Sequence, residues 1–120
     1  MTREEALTGH RKMWNEIADM IERGVIRDNE CCYKIIALEN LGEKRNIKAA
    51  CYLCHYGIEQ EKEKGYWSCS SDCLVEWNGG GCGSRDSEYK LFKRAIIDED
   101  YTQAAILARK IANLPERVVE

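Results

Sequence analysis

Histidine, proline and long apolar runs are nearly missing from these 120 residues: there are two histidines (His10 and His55) and one proline, Pro115. Two isolated histidines leave no set for a nuclease or hydrolase centre, and neither opens the His-x-Glu pattern of a zinc deaminase. The glycine triplet Gly79-Gly80-Gly81 is not followed by Gly-Lys-Ser/Thr, so it is no phosphate loop and reads instead as a turn that delivers Cys82. No stretch reaches the run of about 20 apolar residues that spans a bilayer. The opening Met1-Thr2-Arg3-Glu4-Glu5 lacks the apolar centre of an export signal. The expectation is a non-enzymatic protein of the reducing cytosol with no membrane partner.

Basic side chains are scarce in one place in particular. Net charge is −3; residues 1–50 carry nine basic and nine acidic groups, and residues 83–120 carry seven of each. Residues 51–82 hold only Lys62 and Lys64 against Glu59, Glu61, Glu63, Asp72 and Glu76. A nucleic-acid reader concentrates Lys and Arg near its recognition module, because phosphate neutralisation supplies most of the affinity. The acidic balance counts against that role.

Cysteine is abundant. Of seven, five fall within residues 51–82, as Cys51-x-x-Cys54-His55, Cys69-x-x-x-Cys73 and Cys82. In a reducing compartment such a cluster points to metal ligation or redox chemistry rather than disulfides, and an odd number cannot pair completely. Zinc takes four thiolates at about 2.3 Å, and a C-x-x-C turn places two of them on one edge of the tetrahedron. Cys51 and Cys54 meet that need. Cys69 and Cys73, one helical turn apart if both are helical, supply the second pair, with Cys82 as the substitute for one of them. His55 would have to bend back from its place beside Cys54 to ligate. A closed four-sulfur shell has no position for an activated water, so the metal would be structural. An iron–sulfur cluster and a thiol redox pair are the alternatives. Cys31 and Cys32 stand apart from the cluster and read as small hydrophobes on a buried helix face.

Around this segment the periodicity predicts helices, giving a mainly α fold, with a small α+β arrangement as the alternative: amphipathic helices flanking a zinc-bound, loop-rich cysteine module. The length fits a single domain, 1–120, divided into N-terminal helices (1–42), the cysteine module (51–84) and C-terminal helices (88–114). The stripe Leu7, Trp14, Ile17, Ile21, Val25 with Met13 and Met20 marks a helix over 3–23, opened by a Thr2/Glu5 capping box and closed at Gly24. Trp14 on that stripe reads as a core anchor. A second helix is expected over 29–41, capped by Asp28, with Cys32, Ile35, Ile36 and Leu38 inward. The run Glu59–Gly65 reads as a solvated turn, and Ser71 as the cap of a short helix over 72–77. After the glycine-rich loop 78–84, Tyr89, Phe92, Ile96 and Ile97 mark another helix. The triplet Asp98-Glu99-Asp100 ends it, and a last helix from Tyr101 to Asn113 follows, stopped by Pro115.

The string Arg11-Lys12-Met13-Trp14-Asn15-Glu16-Ile17-Ala18, the motif Cys51-Tyr52-Leu53-Cys54-His55-Tyr56, the Gly81-Cys82 turn, the pair Tyr89 and Phe92, and the ending Tyr101–Pro115 together resemble small cysteine-rich proteins of bacteriophages and prophages. That resemblance covers most of the chain. The chain departs from it at the second cysteine pair, where relatives carry C-x-x-C-Pro and this sequence has C-x-x-x-C followed by Leu74. It implies an infected bacterial cytoplasm as the setting and, as its mode of action, binding to a host, defence or phage protein. Two other functions stay open. One is nucleic-acid binding through Arg85, Lys90, Lys93 and Arg94, and the other is sequestration of a small molecule or nucleotide.

Overall fold

Thr2 starts the first helix as the sequence predicts. In a computed structural model, which describes residues 1–68 and 72–117, its hydroxyl accepts the Glu5 N–H at 3.0 Å, and the Glu5 carboxylate accepts the Thr2 N–H at 3.0 Å. Two otherwise orphaned donors are thereby satisfied. Helix α1 (Arg3–Glu22) runs from this cap to Arg23, with Gly24 beyond it at φ +87°. It buries Ala6, His10, Met13, Trp14, Ile17, Ala18, Met20 and Ile21, which makes it the central element of the molecule.

Four further helices surround it: α2 (Glu30–Asn40), α3 (Tyr52–Lys64), α4 (Glu88–Ile97) and α5 (Tyr101–Ala112), with no strand among the described residues. The mainly α reading holds. Helix α5 lies along α1 with Ala104, Ala105, Ala108 and Ala112 buried, and these small side chains permit the close approach that large ones would prevent. Arg11 crosses between the two helices, donating to the carbonyls of Ala112 at 2.9 Å and Leu114 at 3.2 Å, groups that the end of α5 leaves unpaired. Arg109 reaches back from α5 to the side chains of Asn15, Asp19 and Glu22 on α1. Helix α4 adds Phe92, whose ring meets Trp14 edge-on at 5.1 Å. On another side of α1, α3 packs so closely that a Cβ on Gly9 would run into the Tyr52 ring.

The structure corrects several sequence expectations. Helix α2 is capped by Asn29, whose side chain accepts the Cys32 N–H at 3.0 Å, and not by Asp28. Its buried residues are Tyr33, Lys34 and Ala37, whereas Ile35 is exposed, and Cys32, Ile36 and Leu38 are half-buried. Tyr33 decides this rotation, because its hydroxyl donates to the Val25 carbonyl at 3.0 Å and its ring packs near Phe92. The polar run Glu59–Lys64 is helical, forming the second half of α3 up to Gly65 at φ +84°. Glu, Gln and Lys are strong helix formers, and lysines in the last turn suit the helix dipole. The cysteine module is therefore less loop-rich than expected. From Cys73 to Trp77 the chain is not helical. Val75 instead forms an antiparallel bridge with Glu116, in which the Glu76 N–H donates to the Pro115 carbonyl at 2.8 Å and the Arg117 N–H to the Leu74 carbonyl at 2.7 Å. The proposed cap at Ser71 lies outside the described residues. In α4, Ile97 is exposed while Phe92, Ala95 and Ile96 are buried.

Candidate functional site

Cys51 occupies the N-cap of α3, where its sulfur accepts the Cys54 N–H at 3.4 Å. The chain reaches it through a tight turn, Lys48–Ala50, in which Ala49 (φ 58°) and Ala50 (φ 48°) both sit in the left-handed region. Each such residue costs about 1–2 kcal/mol, so the approach to Cys51 is held by its surroundings rather than by local preference. His55 supplies part of that hold. Its Nδ1 accepts the Lys48 N–H at 3.1 Å, and its Nε2 lies 3.5 Å from the Glu59 carboxylate. Both ring nitrogens thus face partners other than the cysteines, and His55 acts as an anchor for the turn.

Cys73 is buried at the start of the bridged segment, and its sulfur accepts the indole N–H of Trp77 at 3.3 Å. The two thiols differ in their acidity. The Cys54 thiol, the Lys34 ammonium and the Cys54 and Leu53 amides pull Cys51 below the ordinary thiol value against the effect of burial, while burial pushes Cys73 up.

A cavity of about 360 Å³ joins these groups. Cys51 and Cys54 face it from α3, Cys73 from the bridged segment and Cys82 from the glycine-rich loop, so four of the five cysteines proposed as ligands share one space. The fifth, Cys69, lies outside the described residues. Among the described residues no three Cys, His, Asp or Glu side chains are gathered tightly enough to enclose a metal ion as placed; the thiols stand around the cavity wall. All three tryptophans (Trp14, Trp67 and Trp77) and Tyr89 also line it, and His10 closes one side with its Nε2 bonded to the Ile111 carbonyl at 2.9 Å.

Two members of this wall were not expected from the sequence. Cys31, placed apart from the cluster by its number in the chain, lines the same cavity, and being exposed it is not the buried small hydrophobe the sequence suggested. Cys32, its neighbour, is half-buried and is not among the lining residues. Lys34, three residues along α2, is buried; its ammonium donates to the Tyr89 hydroxyl at 3.0 Å and lies 4.6 Å over that ring. The signal available in the sequence was the three-residue spacing, which places Cys31 and Lys34 on one side of a helix. The tertiary fold alone brings that side to Cys51.

Soft thiolate donors select zinc or iron–sulfur clusters over hard cations. Comparison of the chain with models of protein families, with curated proteins and with solved structures finds no match in any of the three. No helix among the described residues is long and apolar enough to cross a membrane.

Proposed function

We propose that this chain is a non-enzymatic protein stabilised by a structural zinc centre, acting by binding a protein partner in a bacterial cytoplasm. The observation that carries the metal reading is the convergence of Cys51, Cys54, Cys73 and Cys82 on one cavity from three separate segments. The partner reading rests on the resemblance to small phage proteins, which points to inhibition of a host or defence factor. Zinc drawing the four sulfurs inward would tie the start of α3 to the bridged segment and the glycine loop, fixing the surface around them. Cys69 stands as a further donor for the same shell. Nucleic-acid binding is the weaker reading. Of the four basic residues it would use, Lys93 is engaged by Glu30 at 3.7 Å and by the Tyr89 ring at 5.9 Å.

The test is affinity capture from bacterial lysates with the zinc-loaded protein and with Cys51→Ser. The expected result is one protein retained in stoichiometric amount by the wild type and lost by the variant. Salt-sensitive recovery of nucleic acid in its place, or equal capture by both forms, would contradict the proposal.

A further inference from the structure

Lys34 is a buried ammonium whose only hydrogen-bond partner among the described residues is neutral, the hydroxyl of Tyr89 at 3.0 Å. No carboxylate lies within ion-pair distance of it among those residues, although the surface carries many such pairs. A buried ammonium that no carboxylate balances is costly, and proteins keep one where something else compensates it. The cavity wall it shares with Cys51, Cys54, Cys73 and Cys82 supplies the answer. Zinc carries two positive charges and four thiolates carry four negative ones, so a closed all-sulfur shell retains two negative charges in excess. Such a shell, lined in part by tryptophans, is favoured by a cation beside it as Lys34 is by an anion.

We infer that Lys34 is the built-in counter-ion of an anionic all-thiolate metal centre, a positioning residue of that site supplied by α2. The inference rests on the metal reading above and deepens it. It makes α2 part of the site and gives a role to the lysine that the rotation set by Tyr33 turns inward, while Ile35 stays in solvent. It also fixes the charge type of the centre. A Cys2His2 shell is neutral and would leave Lys34 uncompensated, whereas a four-thiolate shell would not.

The experiment measures zinc affinity at neutral pH by chelator competition, and the melting temperature of the zinc-free protein, for wild type, Lys34→Met, Lys34→Gln and Lys34→Arg. Outer-shell partners of metal ligands typically change affinity by about 10–100-fold. Lys34→Met and Lys34→Gln are expected to weaken zinc by that factor while leaving the zinc-free protein folded, with a melting temperature that changes far less than that of the zinc-loaded form. Lys34→Arg is expected to retain near wild-type affinity. Two results would overturn the inference: zinc bound as tightly by Lys34→Met and Lys34→Gln as by wild type, or zinc lost equally in all three variants along with a lowered zinc-free melting temperature. A wild type that binds no zinc would instead remove the metal reading itself, and the inference with it.

Discussion

His10 is buried between α1 and α5 with its Nε2 on the Ile111 carbonyl, so that nitrogen carries a proton and donates. Burial lowers its pKa from 6.5 to about 4. An unfolded chain protonates this histidine below pH 6.5 while the folded one does not, so stability falls as pH drops from 6.5 to about 4, with no further loss from this group below that. The depression corresponds to about 3 kcal/mol in total at 1.36 kcal/mol for each pH unit. Urea midpoints measured across that range should slope for the wild type and flatten for His10→Gln; equal slopes would show that His10 is not the group responsible. Nothing in the sequence signals Ile111 as the partner of His10, because it lies 101 residues away. Trp14 was easier to read. Its position on the stripe identified a core residue, and it is buried against Phe92 and Tyr89.

Among the elements, α1 and α3 meet with no room for an added methyl group at Gly9. Gly9 has the Tyr52 ring where a Cβ would stand, and Tyr52 is held in place by its hydroxyl donating to Glu43 at 2.7 Å. Gly9→Ala, a favourable change by helix propensity alone, should therefore destabilise the protein by about 1–3 kcal/mol, the usual cost of overpacking. Chemical denaturation decides this, and an unchanged or raised midpoint would mean that α3 can shift away freely. The helices that sequence periodicity located well (α1, α4 and α5) are those with one wide apolar face and clear end signals, such as Thr2 with Glu5, Ser87, or Asp100 before Tyr101. Helix α3 is hard to read from the sequence because its second half is almost wholly charged, and a run without apolar spacing resembles a turn despite its strong helix formers. The Cys73–Trp77 segment was misread for the opposite reason. Its local pattern fits a short helix, but the bridge from Val75 to Glu116, remote in sequence, takes it out of helical pairing.

For the molecule as a whole, the fold does what a count of cysteines cannot. Spacing identified Cys51 and Cys54 as a pair and grouped Cys73 and Cys82 with them. It separated Cys31 from the rest and passed over Lys34 and the aromatic wall, because their approach depends on how α2 lies against α1 and α4. The segment from Cys51 to Cys82 contributes few of the buried apolar side chains, chiefly Tyr52, Leu53, Leu74, Val75 and Trp77. Metal binding to a cysteine site supplies about 10 kcal/mol or more, enough to dominate the stability of such a segment. The most direct test is native mass spectrometry of the wild type and Cys51→Ser, both produced in zinc-replete medium, with the melting temperature of each. The account predicts zinc bound to the wild type, none bound to the variant, and a lower melting temperature for the variant. A wild type free of metal, or a Cys51→Ser protein with the same zinc content and the same melting temperature, would contradict it.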